Sequence, residues 1–134
     1  RRDVRILIDP RYSDYDTRGH VNNAVYLTYF EIGRHHAWRA LTGLAEDYPF
    51  IMLESSVRYV SQAKWGVPLA MDITVAEVRT KAWVWAYRIV DSRDERLVAE
   101  GRTVQVMFDY DAQRSVPIPA HIREQLTRAI EARE

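Results

Sequence analysis

The chain has 134 residues, no cysteine, and 19 Lys plus Arg against 19 Asp plus Glu, so its formal net charge is zero. That length suits one domain, residues 1–134, with a real buried core. The charge balance excludes an overall basic field for nucleic acid or an anionic membrane, and the missing cysteines exclude disulfide frameworks, thiolate nucleophiles and Cys-ligated metals. No apolar run approaches the roughly 18 residues of a membrane span, and no signal-peptide h-region opens the sequence. The chain begins at Arg1 rather than Met, as expected of a trimmed sequence, and reads as a soluble cytoplasmic domain without membrane insertion.

Val4 to Ile8 is rich in β-branched residues and reads as a first strand, which Asp9-Pro10 breaks. Residues 11–22 read as a long polar loop in which Gly19 is able to take positive φ and Asp and Asn side chains cap turns. Asn23 is the expected N-cap of a long helix. Its apolar face, at spacings of three and four, holds Tyr26, Tyr29 or Phe30, Gly33, Ala37, Ala40 or Leu41, and Leu44. Arg34, His35 and Arg39 fall on a more polar side, and Gly43 is the expected C-cap. A helix of about 20 residues is on the order of 30 Å long. Gly33 in mid-helix costs about 1 kcal/mol relative to Ala, so close approach to another backbone is expected there.

After Pro49 the period becomes two. Phe50 to Ser61, Ala70 to Arg79, Ala82 to Asp91 and Arg96 to Phe108 read as strands, with turns at Trp65-Gly66-Val67-Pro68, Thr80-Lys81 and Ser92-Arg93-Asp94-Glu95. Connections of two to five residues require antiparallel hairpins. Pro117 and Pro119 close this region, and Ala120 to Ala132 reads as a short amphipathic helix. The expected fold is α+β: one long central helix in the concave face of a curved antiparallel sheet of about five strands, with a short C-terminal helix. Acidic groups placed just ahead of a buried helix's N-terminus, where N–H donors and a partial positive charge are exposed, point to a reaction site.

Ser13 to Arg34, SDYDTRGHVNNAVYLTYFEIGR, carries Asp-x-Asp-x-x-Gly-His-Val directly before the helix. It resembles the hotdog-fold thioesterases, in particular the 4-hydroxybenzoyl-CoA thioesterase and YbgC-like acyl-CoA thioesterase group. The His-Val-Asn-Asn-x-x-Tyr wording is also similar to plant acyl-ACP thioesterases. The resemblance extends over essentially the whole chain. It implies hydrolysis of an acyl-CoA by a homodimer, or a homotetramer built as a dimer of dimers, with sheets joined edge to edge and active sites at the subunit interface. No cofactor is implied, coenzyme A being part of the substrate.

By the same resemblance Asp16 is the catalytic carboxylate, as nucleophile or as general base on water, and the backbone N–H of Asn23 holds the thioester oxygen. Gly19 shapes the turn between them. Asp14 orders the loop. His20 is read chiefly as a loop hydrogen-bonder, with substrate contact and acid-base work as the other roles, and Val21, Asn22 and Tyr26 complete the substrate-binding set. For Asn23 capping and oxyanion roles coexist, and Tyr26 also reads as core. Arg79 and Lys81 match the family's basic hairpin turn near the CoA phosphates, with Arg58 and Lys64 as lesser candidates. Tyr29, Phe30, Ile51, Met52 and Trp83 are candidates to shape the acyl pocket. Glu31 has no counterpart among hotdog catalytic glutamates. His35 and His36 do not sit at metal-ligand spacing from other His or acidic residues, so no metal is expected. The competing readings are an acyl-ACP thioesterase, disfavoured by the lack of a basic platform, and a non-catalytic acyl-CoA binder, disfavoured by the complete Asp-x-Asp loop. A dehydratase is further off, its His-centred patterns being absent.

Overall fold

The alternating segments form five strands in a computed structural model that describes residues 3–45 and 49–133, and so not Arg1, at which the chain opens. These are β1 (Val4–Ile8), β2 (Phe50–Tyr59), β3 (Leu69–Val78), β4 (Ala82–Asp91) and β5 (Arg96–Asp109). They pair antiparallel in the order β1-β3-β4-β5-β2. A two-residue strand, β6 (Arg114–Ser115), joins the end of β5 and is too short to leave a period in the sequence. Register irregularities at Met52/Glu54, Val75/Glu77 and Ile89/Val90 bend and twist the sheet.

Period two sends Trp83, Trp85, Tyr87 and Ile89 to the face that meets the central helix, α1 (Val25–Thr42). Phe30 stacks on Tyr87 at 4.1 Å between centroids, and Trp38 packs on Trp83 at 5.7 Å. The 18 residues of α1 span about 27 Å. Both Tyr29 and Phe30 are buried, and Leu41 rather than Ala40 faces the core, joined by Trp38. Arg34 departs from the polar side expected of it. Its side chain is only 12% exposed, beside Glu31 at 3.7 Å. Gly33 does allow a close approach, but to side chains and not to backbone: a Cβ there would collide with Met71 and Ile73 of β3. Gly43 ends the helix in the left-handed region, its N–H bonded to the Arg39 carbonyl.

The C-terminal helix, α2 (Ala120–Arg133), buries Ile122, Leu126 and Ala129 in the same core. Among the described residues no helix is long and apolar enough to cross a membrane. The chain is thus the expected α+β arrangement, a long helix held in a curved antiparallel sheet. The Asp-rich loop, the start of α1 and the Tyr59 end of β2 meet at one end of that sheet. The β3–β4 turn lies at the other end, beside Met107 and Phe50.

Candidate active site

Two aspartates organise the loop between β1 and α1 in opposite ways. Asp14 closes a single 3-10 turn (Tyr12–Asp14) and is buried. Its Oδ2 accepts the Arg11 backbone N–H at 2.9 Å and the Tyr29 hydroxyl at 2.8 Å, while Oδ1 accepts from the Arg11 guanidinium. Burial opposes its charge, yet the Arg11 amide, the Tyr29 hydroxyl and the Arg11 guanidinium together hold its carboxyl below the usual range. Burial and the Asp14 carboxylate in turn push the Tyr29 hydroxyl far upward. The Asp14 carbonyl also accepts the Asn22 N–H, which ties the two ends of the loop together. Asp14 orders the loop, as expected.

Asp16 is exposed. The loop wraps around its carboxylate: Oδ1 accepts the Arg18 N–H at 2.9 Å and the His20 N–H at 3.1 Å. These amides, His20 first, hold its carboxyl below the usual range, so it is ionised at neutral pH. Gly19 makes the turn possible at φ 77, and its N–H bonds to the Asp16 carbonyl. The second oxygen, Oδ2, accepts no hydrogen bond among the described residues.

The start of α1 differs from expectation. The helix begins at Val25 and no side chain caps it at Ala24. The cap expected of Asn23 is supplied one turn position earlier by Asn22, whose Oδ1 accepts the Ala24 N–H at 3.1 Å and whose carbonyl accepts the Val25 N–H at 2.9 Å. The side chain of Asn22 reaches the amide two residues on, as Asx turns do, and preempts a cap at Asn23. Of the three amides leading into α1, that of Asn23 alone has no acceptor among the described residues. The Asn23 carbonyl accepts the Tyr59 hydroxyl at 2.8 Å, which fixes the plane of that peptide.

A cleft of about 400 Å³ opens here, lined by Asp16, Arg18, His20, Val21, Asn23 and Tyr26 on one side and by residues 59–62 on the other. Tyr26 is 3% exposed and packs edge-on against Tyr59, so it serves core and cleft at once. Burial pushes its hydroxyl up to about 12. The second wall was not legible in the sequence. Tyr59 and Ser61 end an ordinary alternating strand, and only long-range contacts reveal them: Val21 N–H to the Ala63 carbonyl, Trp65 N–H to the Gly19 carbonyl, and Arg96 to Ser61 Oγ.

The remaining expected site residues divide between the cleft and other parts of the fold. His20 holds Asp16 through its backbone and bridges to Lys64, while its side chain lines the cleft. Asn22 acts as the cap and does not line the cleft. Arg79 pairs with Glu77 at 2.7 Å and Lys81 stands 3.5 Å from Ser115, both at the far end of the sheet from Asp16. One chain therefore does not bring its own Arg79 and Lys81 to the cleft, because β3 separates them by ten extended residues, about 30 Å. Arg58 pairs with Glu100 on the sheet's other face. Tyr29, Phe30 and Trp83 are core, and Ile51 and Met52 are exposed on β2. Among the described residues no group of three His, Asp or Glu is placed to hold a metal ion.

Residues 10–126 match the family model of the thioesterase-like superfamily. The chain belongs to that superfamily. It is a thioester hydrolase by family, and its fold is that of known members. A predicted thioesterase from Bacillus stearothermophilus superimposes with a TM-score of 0.85 at 27% identity, over 95% of this chain and 96% of that one. A thioesterase from Thermus thermophilus, complexed with coenzyme A and Zn, gives 0.84 at 27% identity, over 97% and 95%. A 1,4-dihydroxy-2-naphthoyl-CoA thioesterase from Synechocystis gives 0.82 at 16% identity, over 93% and 96%, a likeness of fold. No curated protein matches the chain in sequence.

Proposed function

We propose that the chain hydrolyses acyl-CoA thioesters to a free acid and CoA, with Asp16 and the Asn23 N–H as its working groups. The supporting observation is the pairing of an ionised carboxylate and an acceptor-less backbone N–H in one cleft at the N-terminus of an 18-residue helix. The thioester carbonyl oxygen takes the Asn23 N–H, where the helix dipole already favours negative charge. Asp16, through its uncommitted Oδ2, either attacks the carbonyl carbon or removes a proton from the water that does. The C–S bond then breaks, and CoA leaves as a thiolate that takes up a proton. On the nucleophilic route water then hydrolyses the mixed anhydride left on Asp16, which releases the free acid and restores the carboxylate. Donors fixed before the reaction need no reorganisation as charge develops, an effect worth about 3–4 kcal/mol per donor in well-studied sites. No cofactor enters these steps. Coenzyme A in the 27%-identical Thermus thermophilus structure supports the choice of carrier.

The working form is a homo-oligomer, in the reducing cytoplasm that a cysteine-free chain suits. Arg79 and Lys81 support this. They are remote from Asp16 within one chain, but antiparallel pairing of two β2 edges would bring the partner's β3–β4 turn to the Asp16 end. Thiol release from acyl-CoAs of graded length and from acyl-ACP, alongside calorimetric binding of CoA, tests the reading. Turnover of acyl-CoA above acyl-ACP is expected. Preference for acyl-ACP would change the carrier, and binding without turnover on every substrate would make the protein a binder.

A further inference from the structure

Trp65 stands at the corner of a tight turn. The Val67 N–H bonds to the Lys64 carbonyl at 3.2 Å, and Gly66 supplies the positive φ of 80 that such a turn needs. The corner leaves the indole 60% exposed, although burying so large a side chain would stabilise the fold. Two other exposed or half-buried rings join it. Tyr12, 84% exposed, meets it edge-on at 5.7 Å between centroids, and Tyr15 leans on it at 4.7 Å and 50°. One exposed aromatic is ordinary, but three in contact make a patch of the kind that marks a binding surface. The two tyrosines also restrict the indole, so little freedom is lost when a flat group stacks on it.

The patch is built onto the loop that carries Asp16. Tyr15 precedes Asp16 in the chain, and the Trp65 N–H bonds to the Gly19 carbonyl at 2.8 Å. None of the three rings lines the cleft, so the patch lies outside the space where a thioester would react. Arg18 does line the cleft, and Gly19 directly after it holds Trp65, so a cation stands on the way from one to the other. Lys64 is exposed immediately before Trp65. Neither Arg18 nor Lys64 has an ion pair among the described residues, whereas the Arg11 guanidinium is spent on Asp14.

We infer that Tyr12, Tyr15 and Trp65 receive the adenine base of the coenzyme A carrier, with Lys64 and Arg18 as cations for its phosphates. This rests on the acyl-CoA reading and names the part of the carrier that the loop recognises. The occupant must be flat, anionic, and joined to the thioester by an arm long enough to leave the cleft. Coenzyme A has these parts in that order: thioester, pantetheine arm, phosphates, base. Bases stack on aromatic faces, and neighbouring cations take the phosphates. A long nucleic acid is disfavoured as occupant, because a chain of zero net charge gives it no field to follow. An acyl carrier protein offers no base at the end of its arm, so this surface separates the two carriers.

Trp65 can report on its own occupancy. Trp38, Trp83 and Trp85 are each 2% exposed, so acrylamide should quench chiefly the Trp65 emission. Saturating adenosine 3′,5′-bisphosphate should shield that emission as CoA does, while pantetheine should not. Equal shielding by pantetheine, or none by the bisphosphate, would overturn the site. By calorimetry Trp65→Ala should raise the Kd of the bisphosphate about tenfold, and Trp65→Tyr should raise it less than about threefold. A Kd unchanged by Trp65→Ala would overturn the site as well. In turnover, Trp65→Ala should raise KM about tenfold for acyl-CoA and less than about twofold for acyl-pantetheine. Equal changes for both substrates would count against base recognition. Shielding that rises with protein concentration alone would make the patch a contact between copies and refute the inference. Bisphosphate binding that depends on Trp65, without thiol release from any acyl-CoA, would refute the thioesterase reading and leave the base site standing.

Discussion

The loop between β1 and α1 has a closed half and an open half, and two aspartates of one motif divide them. Asp14 is buried, with both oxygens committed to Arg11 and Tyr29. Asp16, two residues on, gives one oxygen to backbone amides and leaves the other facing a cleft. Identical side chains thus do different work because of what surrounds them. A carboxylate with every lone pair engaged holds structure, and one with a free oxygen beside an unpaired N–H is available for chemistry.

Replacing each aspartate by asparagine separates the two roles, and stability is where Asp14 should show it. Asp14→Asn removes charge-assisted bonds to Tyr29 and Arg11 and should cost about 1.5–3 kcal/mol in urea unfolding. Asp16→Asn should leave the urea midpoint nearly unchanged, and a loss equal to that of Asp14→Asn would erase the distinction. The pH dependence sharpens the point. The folded pKa of Asp14 is lowered, so its contribution is complete above the unfolded value of about 3.9 and fades as pH falls through the lower folded value. The stability gap between wild type and Asp14→Asn should therefore be constant near neutrality and shrink below about pH 4.

Gly19→Ala should cost about 1–2 kcal/mol, because the residue sits at φ 77 with nothing nearby for a Cβ to strike, so the cost is backbone alone. Since the Gly19 turn feeds the Arg18 and His20 amides to Asp16, thiol release should fall with it. The smallest effect belongs to the remote turn. Arg79→Ala with Lys81→Ala should raise KM for acyl-CoA a few-fold and barely alter it for acyl-pantetheine, which lacks the nucleotide phosphates. Equal changes for both substrates would remove these cations from the site.

Much of this arrangement was readable from residue order. Period two and short turns gave the sheet, the three-and-four spacing gave α1, and the Asp-x-Asp-x-x-Gly signature located the loop. Local chemistry misled where two residues competed for one task. Asn22 and Asn23 are both good caps, and only the folded turn decides that Asn22 takes the role and leaves the Asn23 amide free. Long-range pairing was invisible. Nothing in the order of residues 59–62 marks them as the cleft's second wall, and nothing near Arg79 says that a whole sheet separates it from Asp16. Arg34 escaped for the same reason, since the helical period assigns a side but not how deeply a long side chain is covered.

The most direct test compares turnover by wild type and Asp16→Asn on the best acyl-CoA substrate, with CoA binding measured on both. The account predicts that thiol release falls at least about 100-fold while CoA affinity stays within about threefold. Turnover by Asp16→Asn equal to wild type would contradict it.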